Sequence, residues 1–308
     1  MINNPIIALF PGQGSQVVGM GKHLTDLLPE WHDLLAKADS LLGFSLSQLC
    51  MNGPLDELTL TANAQPAILL VSYATFLACK QNHNLNIACA TGHSLGEYSA
   101  LLAAGAISFE DAIVLVHKRG IYMQEAVPPE QGKMVAVLGK DLEEIEEVLK
   151  NCPDCAVDIA NHNAPGQIVL SGSSSDMTKI IAELGKGKYI PLPVSAPFHS
   201  RLMRPAAERL TADIHALTIK SPRFPIIANV TATPISSPSE IASLLIKQVC
   251  GRVRWVECIQ AARSLASPDS IVIEFGAGNV LAGLCKRIDK ELQIFTTGSA
   301  EEIGRLYQ

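Results

Sequence analysis

The chain has 308 residues, 48% hydrophobic and 18% charged, which is ample for a sizeable buried core and fits a soluble globular enzyme. A net charge of -6 with no run of basic residues argues against a nucleic-acid-binding surface. No stretch is apolar for long enough to span a bilayer, and Met1-Ile2-Asn3-Asn4-Pro5 lacks the basic head and apolar core of a secretory signal, so the expected compartment is cytoplasmic.

Pro5-Ile6-Ile7-Ala8-Leu9-Phe10 reads as a first buried strand, followed by the glycine-rich turn Pro11-Gly12-Gln13-Gly14-Ser15-Gln16. The Lys-Ser/Thr of a phosphate loop is missing. Two glutamines, Gln13 and Gln16, stand there instead; spacing alone makes this a plain loop, although such a turn can also carry an amide donor over an active site. From about Met20 to Leu60 the pattern is helical, with breaks at Gly43 and Gly53-Pro54. Gln65-Pro66 then opens an apolar helix through Ala67, Leu70, Tyr73, Leu77 and Ala78.

Asn86-Ile87-Ala88-Cys89-Ala90 is short, small and apolar, as a strand buried on both faces is. It runs into Thr91-Gly92-His93-Ser94-Leu95-Gly96, after which Leu95, Tyr98, Leu101 and Leu102 recur at helical spacing. Ser94 therefore sits on a strand-to-helix corner in a Gly-x-Ser-x-Gly pentapeptide, whose glycines permit a tight turn. Unpaired N–H groups at the start of the helix can stabilise an oxyanion if Ser94 attacks a carbonyl. A serine between glycines can equally be an N-cap, and the pentapeptide alone does not decide between the two.

Ser108-Phe109-Glu110-Asp111 is a cap-like start for a further helix with Ile113, Val116, Gly120 and Met123 as its buried stripe. His117 and Arg119 lie in that helix, where an arginine is normally a solvated surface group. Pro128-Pro129 breaks the chain. Strands are then expected over 134–138, 156–160, 167–170 and 189–194, and helices over 142–149 and 177–184. Strand-helix-strand-strand-helix-strand is the order of a ferredoxin-like unit, so residues 128–198 read as a small domain inserted between 1–127 and 199–308, which together form the large domain. Cys79, Cys89, Cys250 and Cys285, four of eight cysteines, fall in apolar segments as buried thiols of a reducing compartment do. Cys152-Pro153-Asp154-Cys155 has no second pair to complete a zinc site, and reads as a chance spacing rather than a metal or redox motif.

Ser195-Ala196-Pro197-Phe198-His199-Ser200 returns the chain to the large domain, and a helical pattern follows through Leu202, Ala206, Leu210 and Ile214. Clefts between lobes are where substrates bind, which makes His199 a candidate general base; as an isolated residue it is simply a helix-start histidine. His93, next to Ser94 at the strand end, should point away from the serine side chain. Pro225-Ile226-Ile227-Ala228-Asn229 reads as a strand and 241–249 as a helix. Ile271-Val272-Ile273-Glu274-Phe275 reads as a strand before Gly276-Ala277-Gly278-Asn279-Val280-Leu281, which imitates a dinucleotide fingerprint but has Leu281 in place of the third glycine. It is read as a tight turn into a helix.

Six segments occur together in one order: Phe10-Pro11-Gly12-Gln13-Gly14-Ser15-Gln16, Gly92-His93-Ser94-Leu95-Gly96-Glu97-Tyr98, the Arg119 helix, Asn163-Ala164-Pro165-Gly166-Gln167, Phe198-His199-Ser200 and Phe275-Gly276-Ala277-Gly278. From about residue 6 to about residue 290 the chain resembles the malonyl-CoA:acyl carrier protein transacylases of bacterial fatty-acid synthesis. The resemblance implies an α/β fold: a hydrolase-like large domain with a parallel sheet, and an inserted ferredoxin-like small lobe. It implies Ser94 as the nucleophile that carries malonyl as an ester, and His199 as its base. The backbone carbonyl of Gln248 would orient the imidazole in place of an acid, and the N–H groups of Gln13 and Leu95 would form the oxyanion hole. Arg119 matches the arginine that holds the malonyl carboxylate, a task for which a planar guanidinium is suited. Phe198 matches the malonyl-selecting form of its motif, in which the methylmalonyl-selecting form carries serine, and Asn163 and Gln167 would line the cleft.

The activity so implied is ping-pong transfer of malonyl from malonyl-CoA to the phosphopantetheine thiol of acyl carrier protein, with no permanently bound cofactor and no metal, by a monomer. The acidic carrier calls for cations near the cleft; Lys118, Lys186, Lys188, Arg201, Arg204 and Arg287 are candidates, each otherwise an ordinary surface charge. The same constellation serves as the acyl-loading subunit of malonate decarboxylase and as an embedded domain of polyketide synthases. A serine esterase or thioesterase is the alternative from another class; Arg119, the His199–Gln248 pairing and the glutamine turn argue against it. A non-enzymatic binding module gives Ser94, His199 and Arg119 no reason to occur together.

Overall fold

The computed structural model describes residues 4–82, 84–128, 130–194, 196–235 and 237–307; Met1–Asn3, Pro129 and Ser195, used in the sequence reading, lie outside the described residues. Its strands are β1 (Ile6–Phe10), β2 (Ile87–Gly92), β3 (Gly132–Leu138), β4 (Val157–Ala164), β5 (Gln167–Ser173), β6 (Lys188–Pro191), β7 (Ile271–Glu274) and β8 (Ile294–Thr296). They form two four-stranded sheets. The first has order β2-β1-β7-β8 and is parallel throughout, with Phe10 opposite Gly92 and Leu9 opposite Glu274 at its carboxyl edge. Every residue of β1 and β7 is buried, because helices cover both faces of a parallel sheet.

The second sheet has order β4-β5-β3-β6 and is antiparallel, the strand order of a ferredoxin-like unit. Alternation along β3 divides its side chains between two cores. Val135 and Val137 face Ile145, Met177 and Ile180 of the helices Leu142–Asn151 and Ser174–Leu184. Met134 and Ala136 join the large core instead, with Ala160 of β4 and Val169 of β5. The sheet thus presents one face to the larger unit, where the cleft forms.

Three expectations are corrected. The apolar helix begins at Thr61 and runs to Asn82, so Pro66 lies inside it and does not open it. A proline has no N–H for the carbonyl four residues back, that of Ala62, and the ring of His117 hydrogen-bonds that carbonyl at 2.8 Å. Residues 225–229 make isolated bridges rather than a strand, Ala90 with Ile226 and Ile227 with Pro234. The chain folds back on itself there, with Ala228 N–H donating to Thr233 C=O and Ile235 N–H to Ile226 C=O. Cys152 and Cys155 are joined by a disulfide, so their spacing is not incidental: the helix ends at Asn151, and a turn closed by Cys155 N–H on Cys152 C=O brings the two together. The other six cysteines are free thiols.

The expectation that no stretch is apolar for long enough to span a bilayer is corrected as well: the helix Thr61–Asn82 contains a window, Thr61–Gln81, of sufficient length and hydropathy, 78% of it buried in the protein. It is a core helix, packed closely against the helix Phe109–Glu125 at Gly120, where a Cβ would stand 2.6 Å from Ala62 Cα. That close approach brings Gln65 beside Arg119.

Candidate active site

Ser94 occupies the corner between β2 and the helix Gly96–Ala103, with φ +51°. A left-handed serine costs about 1–3 kcal/mol and persists only where its surroundings hold it. Two glycines leave no alternative path. A Cβ on Gly92 would come 2.0 Å from the carbonyl carbon of Gly96, and one on Gly96 would come 1.9 Å from Phe10 O. Asn229 holds the corner from behind, its Oδ1 accepting from Ser94 N–H at 2.8 Å and its Nδ2 donating to Gly92 C=O at 2.8 Å.

His199 is buried, also left-handed at φ +58°, and its Nε2 lies 2.7 Å from Ser94 Oγ. Its Nδ1 faces two carbonyls, Gln248 O at 2.9 Å and Gly251 O at 3.1 Å. Only a protonated Nδ1 satisfies both, so Nε2 is the free lone pair and accepts from the serine hydroxyl. Burial, and then the Arg119 charge, hold the imidazole down to about 3, so at neutral pH it stands ready as a base.

Arg119 is not a surface group. It is 1% exposed, and its guanidinium donates to Gln65 Oε1 at 2.7 Å, Ser94 Oγ at 3.0 Å and Gln248 Oε1 at 3.1 Å, with its cationic carbon 5.3 Å from the centre of the Tyr98 ring. Its Nε has no partner among the described residues. The cation therefore sits beside the nucleophile with neutral oxygens as its only hydrogen-bond acceptors among the described residues. This is an arrangement built to receive a carboxylate.

Gln248 links all of these groups. Its backbone carbonyl faces His199, its Oε1 faces Arg119, and its Nε2 donates to Ser94 C=O and to Glu97 Oε2, each at 2.9 Å. The N–H groups of Gln13 and Leu95 have no acceptor among the described residues, which leaves both available to an oxyanion. The cleft over Ser94 has a volume of about 320 Å³ and is lined by Gln13, His93, Asn161, Asn163 and His199, with Met134 and Val169 from the second sheet.

Sequence reasoning brings Ser94, His199, Gln248, Arg119, Gln13, Leu95 and Asn163 to one place, and the structure puts them there. Phe198 is buried beside His199 and is not among the residues that line the cleft. Gln167 accepts from Arg287 at 2.5 Å and does not line it either. His93 is a correction: it lines the cleft and hydrogen-bonds Asn163 Oδ1 at 2.8 Å, because β2 ends at Gly92 and the alternation of a strand no longer applies beyond it. Sequence reasoning missed Asn229, Glu97, Gln65 and Gly251. Glu97 did carry a signal, as the one charged residue in the helix Gly96–Ala103.

The model of the acyl transferase domain matches residues 8–294. The chain belongs to the acyl transferase family. Within that family, it is 43% identical over 303 residues to the malonyl CoA-acyl carrier protein transacylase of Bacillus subtilis, covering 97% of this chain and 95% of the relative. The crystal structure of an acyl-carrier-protein-S-malonyltransferase from Bartonella henselae superposes with a TM-score of 0.92 at 41% identity, covering 98% of both chains. A malonyl-transacylase solved in complex with its type II polyketide acyl carrier protein superposes with a TM-score of 0.92 at 35% identity, covering 97% of each. The acyl transferase fold thus accounts for both sheets of the chain.

Proposed function

We propose that the protein transfers malonyl from malonyl-CoA to the phosphopantetheine thiol of acyl carrier protein, through an ester on Ser94, to supply fatty-acid synthesis. One observation carries the reading: Ser94 Oγ lies 2.7 Å from an imidazole nitrogen and 3.0 Å from a buried guanidinium. Base and carboxylate holder converge on one nucleophile, as an acyl donor with a free carboxylate requires.

The steps follow from the geometry. His199 Nε2 takes the Ser94 proton as Oγ attacks the thioester carbonyl, and the N–H groups of Gln13 and Leu95 hold the oxyanion. The imidazolium formed is steadied by Gln248 O and Gly251 O, and returns its proton to the departing thiolate. The carrier thiol reverses these steps. Arg119 holds the malonyl carboxylate throughout, and Asn163 and Phe198 shape the site, Phe198 through its packing beside His199. No resident cofactor or metal enters this chemistry. One chain supplies every group, so a monomer suffices; the net charge of -6 and the burial of the apolar helix support a protein that binds neither nucleic acid nor membrane, and six free thiols beside the one disulfide support a cytoplasmic one. Residues 128–198 form the inserted small domain in this reading, between 1–127 and 199–308. Of the cations considered for the carrier, Lys118 is paired with Asp213 and Arg201 with Asp158, whereas Lys186, Lys188 and Arg204 have no ion pair among the described residues.

The test is an intact mass after mixing with malonyl-CoA and quenching in acid. A malonyl adduct on the parent and none on Ser94→Ala, discharged by carrier protein, is the expected result. Release of free malonate without an adduct would establish a hydrolase instead. A decarboxylase subunit would load malonyl but pass it to a different carrier.

A further inference from the structure

Glu97 has no part in the steps above, yet it is a fully buried carboxylate one side chain away from Arg119. Its Oε2 accepts from Asn229 N–H and Gln248 Nε2, each at 2.9 Å, and the oxygen of the same Gln248 amide accepts from Arg119 at 3.1 Å. Its Oε1 has no partner among the described residues, and no carboxylate lies within ion-pair distance of Arg119 there. Carboxylate, amide and guanidinium therefore form a buried row, with the cleft at its arginine end.

We infer that Glu97 is the counter-charge of Arg119 in the unliganded enzyme, and that malonyl binding displaces this role by proton uptake on Glu97. This rests on the assignment of Arg119 to the malonyl carboxylate. Two carboxylates on either side of one buried cation repel each other, and the low local dielectric magnifies the repulsion. The incoming carboxylate is fixed in its charge by the chemistry, so the buried one is neutralised. Burial already pushes Glu97 up to about 7, against its hydrogen bonds and Arg119. The other ionisable groups facing it do not change charge near neutrality: burial raises Tyr98 of the same helix to about 12 and raises Cys258 of the helix Trp255–Leu265, while Arg119, though lowered by burial, keeps its proton as a guanidinium does. His199 and His93 are both held below the usual imidazole range by burial. Glu97 is thus a specificity-tuning residue that acts through Gln248 and touches no substrate.

The experiment measures dissociation constants of malonyl-CoA and acetyl-CoA for Ser94→Ala protein by calorimetry between pH 6 and 8.5. Acetyl-CoA has the same phosphates and no carboxylate, so it removes every contribution but that of interest. The malonyl-CoA constant should rise about three- to tenfold more than that of acetyl-CoA across this range, as deprotonated Glu97 competes for Arg119. Adding Glu97→Gln, which keeps a hydrogen-bond acceptor at Oε2, should abolish that extra rise and tighten malonyl-CoA at pH 8.5. Equal slopes for the two ligands, or a slope that survives Glu97→Gln, would overturn the inference. If Glu97→Gln fails to fold, the difference in slopes of the parent background decides. An Arg119→Ala arm separates the two readings: unchanged malonyl-to-acetyl preference there removes the role of Arg119 itself, whereas lost preference with equal slopes removes the role of Glu97 alone.

Discussion

Asn229→Ala tests whether the nucleophile corner is held by its surroundings, as its geometry requires. The side chain is fully buried and satisfies two backbone groups, Ser94 N–H and Gly92 C=O, each at 2.8 Å. Truncation leaves both without a partner. At about 1–3 kcal/mol for each of the two buried unsatisfied groups, the loss is about 2–6 kcal/mol, with the low end applying if a water enters the vacated space. Unfolding entropy of about 2.1 cal/mol/K per residue over 308 residues turns this into a melting-temperature drop of roughly 3–9 °C. Activity should fall further than stability. Asn229 is the side chain that holds the Ser94 N–H at φ +51°, so its loss lets the serine shift, and a displacement of about 1 Å at the reacting oxygen costs on the order of 100-fold in rate. Scanning calorimetry gives the first quantity, and quenched-flow mass measurement of the malonyl adduct gives the second. A variant that melts within about 1 °C of the parent and acylates at the parent rate would refute the reasoning.

Gly96→Ala should yield no soluble folded protein, because the new Cβ would stand 1.9 Å from Phe10 O of a buried strand; a normal circular dichroism spectrum would contradict this. Arg119→Lys keeps the charge but loses the fork, so kcat/KM for malonyl-CoA should fall about tenfold or more while that for acetyl-CoA changes little; an equal fall in both would show damage to Ser94 instead. His199 should contribute an acid-sensitive part to the stability of the fold. Its pKa is held down to about 3 in the folded state against 6.5 ordinarily, so below pH 6.5 the unfolded chain binds a proton that the folded one does not. Stability from this group falls by about 2 kcal/mol between pH 6.5 and 5. Glu97 and Glu274, both raised by burial to about 7, run the other way, since the folded state then binds the extra protons. Urea unfolding of parent and His199→Gln at the two pH values isolates the histidine, and an identical pH slope in both would be the contrary result.

The parts of the fold legible in the sequence are those set by local chemistry. An apolar run before a Gly-x-Ser-x-Gly corner and a helical stripe after it can be little else, and the structure returns β2, the corner and the helix Gly96–Ala103. The ferredoxin-like order was legible for the same reason, since each strand and helix there carries its own period. Residues 225–229 were not: they are as apolar as β1, but their hydrogen bonds close a local turn, and only the rest of the fold decides which pairing wins. The Cys152–Cys155 bond is not legible in the sequence, where the spacing reads as chance, because the turn after the helix end that brings the two thiols together is set by the fold.

The site divides along the same line, and Gln248 shows why. Its backbone carbonyl was expected to face His199, and it does, at 2.9 Å. A carbonyl belongs to every residue, however, so that role places no demand on the side chain. The demand for glutamine comes from the other end of the residue, where one amide must accept from Arg119 and donate to Glu97 and Ser94 C=O at once. Asparagine is too short for the same span, glutamate has no donor, and a flipped amide would set donor against donor at Arg119. These partners lie 129, 151 and 154 residues away in the chain, so no local pattern announces them. Sequence motifs expose the groups that react. The buried amides and carboxylate that aim them are fixed by contacts across the fold, and they become visible only when the chain is closed around them.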